Sequence, residues 1–361
     1  MSSNFSDLKL MLRPPGKGIY TVSSGASLAD HLIKKIYGTH IAKGWQASLE
    51  RIPFAPVILL GFPSDIGAGI RRGSNFGPLL IRQKLYADKR FKDLLEQEQI
   101  CDVGDVMVIP QLLSDAILTK AQKQKCQKAL YGPAMNSHLP VSPLSILEQA
   151  SRCIYRLNPQ AKLIAIGGDH SMSLPLVKTL KQYTQQPFAI IHFDAHTDLL
   201  QNRLGIDECF GTWAYHANQL IGRKQRLIQI GIRASAKSKM YWESRLKVKQ
   251  FWANQILRNE EDAIKKILDH LKSLELPNVY ISNDIDGTSE AFAACTGTPE
   301  PNGLSPTFVV RLIQQLKSQW NVIGADLTEV APLLNLDRPN EPQKTLKLSV
   351  EYLLTMIKAM L

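Results

Sequence analysis

The 361 residues are 44% hydrophobic and 21% charged, an ordinary globular composition that can bury a large core and excludes a disordered or fibrous chain. The net charge is +11, but Lys and Arg are scattered and helix-turn-helix, zinc-finger and RNA-binding signatures are missing, so we expect no nucleic-acid partner. Five separated cysteines without a CxxC pair, and no apolar run of signal-peptide or membrane-spanning length, predict a soluble cytoplasmic protein with no membrane partner.

Residues 1–50 are predicted to be an N-terminal extension, with a loop at 13–18 and a helix around Leu28–Tyr37, and residues 51–361 to be the main domain. In that domain, apolar runs rich in β-branched residues alternate with amphipathic stretches. The runs predict strands at Pro56–Phe62, Lys162–Ile166, Phe188–Phe193, Arg226–Ile230, Asn278–Ile281 and Asn321–Gly324. The stretches predict helices that include Pro175–Tyr183, Glu261–Ser273, Thr307–Ser318 and Leu346–Met360. This alternation is typical of an α/β fold with a parallel sheet covered on both faces. The polar segment 110–141 predicts a helix and a long surface loop.

Polar side chains follow four of the predicted strands. Asp169 and His170 come after the second strand, and residues 194–198 after the third. Residues 284–286 and 326–329 come after the last two. Because the carboxyl ends of parallel strands lie at one edge of a sheet, we expect all these groups to meet in a single crevice.

The residue types in this crevice indicate a metal site. In the segment Asp194-Ala195-His196-Thr197-Asp198, three ligand-type side chains occupy alternate positions, which share one side of an extended chain. An isolated DxD pair is usually a turn or a helix cap, so the prediction rests on the whole set. That set is His170, Asp194, His196, Asp198, Asp284 and Asp286. Four crowded carboxylates repel one another unless cations neutralise them. Carboxylates with imidazoles and no cysteine suit Mn²⁺ or a similar first-row ion, and six ligands suit two ions that share carboxylates.

These residues also carry a family resemblance. Gly167-Gly168-Asp169-His170-Ser171, Asp194-Ala195-His196-Thr197-Asp198 and Ser282-Asn283-Asp284-Ile285-Asp286-Gly287 resemble the three metal signatures of the ureohydrolases, the family of arginases and agmatinases. Thr296-Gly297-Thr298-Pro299-Glu300 and Asp326-Leu327-Thr328-Glu329 are similar to later blocks of the family, and Gly61-Phe62-Pro63-Ser64-Asp65 to an early one. The ordered blocks run from about residue 55 to the end of the chain, which makes the resemblance specific.

The resemblance implies a three-layer α/β/α fold with a mainly parallel, eight-stranded sheet, and commonly a trimer or hexamer. It implies two divalent ions, with Mn²⁺ favoured and Ni²⁺ as an alternative. One ion would be held by His170, Asp194, Asp198 and Asp284, and the other by Asp194, His196, Asp284 and Asp286. Glu329 would bind the cationic guanidinium or amidine group. A water activated between the ions would attack the central carbon of that group. Asp198 would orient this water and pass its proton toward the leaving amine.

Two positions depart from the family pattern, and both concern the substrate. Phe210 stands where the family has a histidine that shuttles a proton or contacts the substrate, so His216 becomes a candidate catalytic substitute, although a packed or surface imidazole is the simpler interpretation. Phe210 and Trp213 could narrow the pocket toward a small guanidine compound. Ser289 replaces an Asp that supports the amine end of the substrate, which puts recognition of an ammonium group in doubt.

We therefore expect an agmatinase-like or guanidino-acid hydrolase that releases urea and an amine. A formimidoylglutamase-type or arginase-type activity is an alternative. An alternative of another class is a metal-binding family member without catalysis, because Phe210 cannot transfer a proton.

Overall fold

The computed structural model describes residues 3–19, 26–38, 40–134, 136, 138–335, 338 and 340–361. Within these ranges the strands are β1 Leu12–Arg13, β2 Val57–Phe62, β3 Ile100–Val106, β4 Lys162–Gly167, β5 Phe188–Phe193, β6 Leu227–Ile232, β7 Lys249–Trp252, β8 Asn278–Asp284 and β9 Asn321–Thr328. The helices are α1 Ser3–Met11, α2 Ala26–Tyr37, α3 Ile41–Glu50, α4 Gly77–Leu85, α5 Lys89–Glu96, α6 Lys120–Tyr131, α7 Pro143–Leu157, α8 Ser173–Tyr183, α9 Trp213–Leu220, α10 Lys239–Leu246, α11 Ala253–Ile256, α12 Glu260–Ser273, α13 Pro306–Gln319 and α14 Asn340–Met360. From β2 onward, helices separate every pair of consecutive strands, as the sequence predicts.

The described strands form one sheet in the order β1-β3-β2-β4-β9-β8-β5-β6-β7. Every neighbouring pair is parallel except β1 with β3, where Leu12 lies opposite Val106. The family resemblance implies eight strands, and the described residues contain nine because the two-residue β1 adds an antiparallel edge. The predicted mainly parallel α/β architecture is confirmed.

Helices cover both faces of this sheet. Along β2, Val57 and Leu59 belong to one apolar cluster, and Ile58 and Leu60 belong to a second cluster on the other face. Helices α4, α5 and α11 to α14 pack into the first cluster, and α1, α3 and α7 to α9 pack into the second. Because neither face of the central strands meets water, these strands are apolar at nearly every position rather than at alternate ones.

The N-terminal segment contributes to the same body. Helix α2 coincides with the predicted helix, and β1 joins the sheet beside β3. The backbone N–H of Gly16 donates to Asp105 Oδ2 at 2.6 Å, which links the segment to β3. A domain boundary at residue 50 stays a prediction. The segment 110–141 contains the expected helix, α6, which begins with a reciprocal cap between Thr119 and Gln122.

Strand β3 carries a buried ion cluster. Arg82 of α4 has no exposed surface and donates to both oxygens of Asp102, at 2.9 and 3.0 Å, and to Asp105. The carbonyl of Gly104 accepts a further bond from Arg82 at 2.9 Å. Desolvation opposes the charge of this guanidinium, but the two carboxylates outweigh that effect and raise its pKa. The cluster fixes α4 to β3 through charges that have partners.

Among the residues that the structure describes, no helix combines the length and apolar character needed to cross a bilayer.

Candidate metal centre

Four neighbouring strands in the middle of the sheet, β4, β9, β8 and β5, deliver the predicted site residues. The turn after β4 depends on glycine, because a Cβ atom at Gly168 would lie 1.8 Å from the carbonyl oxygen of Ser64. Asp169 then accepts from the backbone N–H groups of Ser171 and Gly67, both at 2.9 Å. These bonds close the turn and place His170 over the sheet edge.

The first group of ligand atoms surrounds the His170 ring. Its Nδ1 lies 3.3 Å from Asp194 Oδ2, 3.4 Å from Asp198 Oδ2 and 3.1 Å from Asp284 Oδ2. All four side chains are buried. One imidazole nitrogen and three carboxylate oxygens therefore converge on a small, largely buried volume.

The second group lies beside the first. His196 Nδ1 is 3.1 Å from Asp286 Oδ2 and 3.4 Å from Asp194 Oδ1. Asp194 thus turns one oxygen toward each histidine, which is the geometry that a shared ligand needs. The structure brings all six predicted ligand residues together, and whether Asp284 serves both groups stays a prediction.

Burial and crowding change the acidity of these groups. Burial, and then the neighbouring charge of Asp194, raise the pKa of Asp198 well above its ordinary range. Burial followed by Asp286 and Asp194 does the same to the pKa of Asp284. Burial would raise the pKa of Asp194 as well, but His192 and His170 outweigh it and hold that pKa well below the ordinary value. Without a cation, the centre must therefore hold protons to limit its negative charge.

Hydrogen bonding around His170 fits a bound divalent metal. Ser282 Oγ donates its one proton to Asp326 Oδ1 at 2.8 Å, so it can only accept from His170 Nε2, also at 2.8 Å. The proton of a neutral His170 ring is thereby fixed on Nε2. Its Nδ1 is buried, has no hydrogen-bond partner among the described residues and faces three carboxylates. A lone pair and carboxylates pointing at one another are unfavourable unless a proton or a cation lies between them, and a metal held by imidazole and carboxylates meets that need.

Trp213 lies behind the ligands. Its ring has no exposed surface, lies tilted against the His170 ring at a centroid distance of 4.6 Å and meets the His192 ring edge-on at 4.8 Å. Its indole N–H donates to Asp198 Oδ2 at 3.0 Å. This bond holds Asp198, whose backbone adopts a left-handed φ of 50°. The predicted contact between Trp213 and a substrate stays a prediction. It would require the segment that carries Asp198 to move, because Trp213 is fully buried.

Glu329 follows β9 at the edge of the same crevice. Its backbone N–H donates to the carbonyl of Gly168 at 2.8 Å, and its Oε1 accepts from the backbone N–H of His170 at 3.0 Å. Burial first, and then Asp284, raise the pKa of Glu329 well above its ordinary range. A bound cation near this carboxylate would restore its charge, which suits the predicted guanidinium contact.

The other predicted substrate residues contact loops around the centre. Phe210 donates its backbone N–H to the carbonyl of Gly67 at 3.1 Å, and the Arg203 guanidinium lies over its ring at 4.7 Å. His216 bonds through Nε2 to the carbonyl of Gln201 at 3.0 Å. Ser289 is half-buried and donates its backbone N–H to the carbonyl of Leu304. Their roles in catalysis or substrate binding stay predictions.

Several groups that support the ligands were missed by the sequence reasoning. Ser282 and Asp326 belong to the recognised motifs, but the sequence assigns no supporting role to either of them or to His192. A signal existed for His192, because it precedes Asp194 by two positions and so continues the alternation of Asp194, His196 and Asp198.

Comparison with known proteins agrees with this geometry. The protein named "Agmatinase, mitochondrial" of Gallus gallus is 28% identical over 304 residues, which cover 81% of this chain and 77% of that protein. "Arginase 1, mitochondrial" of Arabidopsis thaliana is 28% identical over 291 residues, with 77% and 74% covered.

Solved structures share the fold. Formimidoylglutamase of Bacillus subtilis superposes with a TM-score of 0.67 at 23% identity, covering 85% of this chain and 87% of that one. Proclavaminate amidino hydrolase of Streptomyces clavuligerus gives 0.66 at 24% identity, covering 85% and 91%. The family model described as "Arginase family" matches residues 55–358, the range that contains every ligand of the two clusters. On this match, the chain belongs to the arginase family.

Proposed function

We propose that the chain is a binuclear-metal hydrolase that cleaves a C–N bond in a guanidino or other linear amidine compound. A guanidino compound would give urea and an amine, and another amidine would give the corresponding amide and an amine. The observation that carries the proposal is the pair of ligand clusters that share Asp194, one around His170 and one around His196. The family match and the agmatinases among the relatives support a guanidino substrate. The proposed ions are two Mn²⁺, with Ni²⁺ as the alternative.

His170, Asp194, Asp198 and Asp284 would hold one ion, and Asp194, His196, Asp284 and Asp286 the other. When bound, two divalent ions would supply a hydroxide nucleophile at neutral pH by lowering the pKa of water. Glu329 would bind the planar substrate cation. Asp198, held by Trp213, would receive the proton of the attacking water and pass it to the leaving amine.

The test is a substrate panel on one metal-loaded preparation. Urea release is measured from agmatine, guanidinobutyrate, arginine and guanidine after loading with Mn²⁺ or Ni²⁺. Formamide release from formimidoylglutamate is measured in parallel, since that activity and the arginase type are the nearest alternatives. Asp286→Asn, loaded in the same way, is the control for contaminating activity. Full metal occupancy without turnover of any compound would overturn the proposal.

A second candidate is a metal-binding protein without catalysis. It is favoured by Phe210, whose ring lies under Arg203 and cannot move a proton. General acid–base assistance is worth about 10²–10⁴-fold in rate. If wild type is inactive on the whole panel while Phe210→His turns over one compound, the loss of catalysis lies at this position and the second candidate is favoured. Wild-type turnover excludes it.

The assembly and the compartment are also proposals. We propose a homo-oligomer, a trimer or hexamer, which light scattering on the purified chain would measure. We also propose a cytoplasmic location. All five cysteines are free thiols in the structure, which suits a reducing compartment. Localisation of a tagged chain would test it.

A further inference from the structure

His192 is a buried titratable group at the centre that the proposed mechanism does not use. It lies on β5 with no exposed surface, and its Nε2 is 2.7 Å from Asp194 Oδ2. One nitrogen of His192 also lies within 4.8 Å of ligand atoms of His170, Asp194 and Asp198. By distance alone, His192 could be a metal ligand or a hydrogen-bond donor to one, and these roles require opposite protonation of Nε2.

A row of hydrogen-bonded side chains crosses three strands and ends on His192. The Trp252 indole N–H of β7 donates to Gln250 Oε1 at 2.9 Å. Gln250 Nε2 donates to Gln229 Oε1 on β6 at 2.8 Å. Gln229 Nε2 lies 3.0 Å from His192 Nδ1 and 2.6 Å from the carbonyl oxygen of Thr197. Gln229, Gln250 and His192 are fully buried, so bulk water does not reach these partners.

The two ends of the row fix the direction of every bond in it. The Thr197 carbonyl can only accept, so the group of Gln229 that faces it must be the NH₂ group. The Gln229 oxygen must then face Gln250, which has to donate with its own NH₂ group. This leaves the Gln250 oxygen toward Trp252, whose indole can only donate. A flipped amide anywhere in the row would oppose two donors or two acceptors.

The fixed direction decides the state of the His192 ring. Since the Gln229 NH₂ group faces Nδ1, this nitrogen must accept and the ring proton must lie on Nε2. The Asp194 carboxylate, which can only accept, requires the same tautomer from the other side. Nε2 therefore has no lone pair for a metal.

We propose that His192 is a positioning residue: supported by Gln229, it donates from Nε2 to Asp194 and thereby orients the carboxylate that both ligand clusters share. Gln229 has a second effect, since its bond to Thr197 fixes the backbone between His196 and Asp198. Partners of this kind typically contribute 10–100-fold to metal affinity. The inference rests on the proposed metal centre.

The test compares two substitutions at one position. His192→Phe removes the donor, and His192→Gln places an amide N–H near the position of Nε2 but offers no imidazole ligand. Mn²⁺ binding to the metal-free protein is measured by calorimetry, without substrate. We expect His192→Phe to weaken Mn²⁺ affinity about 10–100-fold while two ions still bind, and His192→Gln to restore most of it. If His192 is a metal ligand instead, both variants lose one of the two ions, and His192→Gln binds Mn²⁺ no better than His192→Phe.

Two further measurements separate positioning from a role in folding alone. The ¹⁵N signals of the His192 ring are assigned as those that disappear in the His192 variants. In the metal-free protein, their chemical shifts should show a protonated Nε2 and an unprotonated Nδ1. Gln229→Leu should weaken Mn²⁺ binding, whereas Trp252→Phe, which removes only the outermost donor, should leave it near wild type. Wild-type affinity in folded His192→Phe, or a proton on Nδ1, would overturn the inference. These readouts need no turnover, so an inactive enzyme would count against the proposed function and not against this one.

Discussion

Removal of the Ser282 hydroxyl should weaken metal binding although no proposed metal ligand is replaced. Ser282 is fully buried, and its Oγ links His170 Nε2 to Asp326 Oδ1 through two bonds of 2.8 Å. Ser282→Ala leaves the Nε2–H without its acceptor, whereas Asp326 keeps the Tyr280 hydroxyl at 2.5 Å. An orphaned buried donor costs about 1–3 kcal/mol in the free energy of unfolding. The proton of His170 is then free to move to Nδ1, the nitrogen that must stay unprotonated to bind a metal.

We therefore expect Ser282→Ala to lower Mn²⁺ affinity about 10–100-fold, as measured by calorimetry, and to lower the free energy of unfolding of the metal-free protein by about 1–3 kcal/mol. Ser151→Ala is a matched control. Ser151 of α7 is equally buried, and its hydroxyl has no hydrogen-bond partner among the described residues. Its loss should change neither quantity appreciably. Equal behaviour of the two variants would refute the reasoning that Ser282 fixes the tautomer of His170.

Three further predictions concern neighbouring features. Trp213→Phe keeps a buried aromatic ring but removes the 3.0 Å hydrogen bond to Asp198. Because a hydrogen bond to a charged group is worth about 1.5–3 kcal/mol, kcat should fall by at least tenfold at full metal occupancy. An unchanged kcat would contradict the role of Trp213 in holding Asp198. Arg82→Met leaves the buried carboxylates of Asp102 and Asp105 unpaired, and denaturant titration should show a loss of about 3–5 kcal/mol; a loss under 1 kcal/mol would refute it. Because the pKa of Asp198 is raised when no metal is bound, a metal must displace its proton, so Mn²⁺ affinity should rise with pH. Calorimetry in buffers of different ionisation enthalpy should detect proton release on Mn²⁺ binding. Binding without proton release would contradict the predicted rise of affinity with pH.

The sequence predicted strands where an apolar run is continuous and failed where polar residues interrupt it. Most positions of the six predicted strands are buried in the structure, because helices cover both faces of the sheet. Strand β3 was missed since Asp102, Gly104 and Asp105 interrupt its apolar pattern. Their charges are satisfied by Arg82, which is about 20 residues away in the sequence. Strand β7 was missed since it is short and its first two residues, Lys249 and Gln250, are polar.

The ligands could be predicted because they stand at strand ends. A polar residue directly after an apolar strand of a parallel sheet faces a predictable edge, which identified His170, Asp194 and Asp284. The supporting groups could not be predicted in the same way. Ser282 and Gln229 lie inside strands, and their partners depend on which strands are neighbours and in what register. A single sequence shows neither.

The arrangement of these supporting groups explains how two histidines of one acidic centre can take different roles. His170 Nδ1 and His192 Nε2 both face the same oxygen of Asp194, Oδ2, at 3.3 Å and 2.7 Å. Ser282 fixes the proton of His170 on the nitrogen that faces away from the carboxylates, and Gln229 fixes that of His192 on the nitrogen that faces Asp194. One imidazole is thus prepared to bind a cation and the other to hold a carboxylate, although both are buried histidines beside Asp194. The distinction arises from Ser282 and Gln229, two neutral side chains that are not proposed ligands. The metal-binding motifs alone therefore do not include all the residues on which the centre depends.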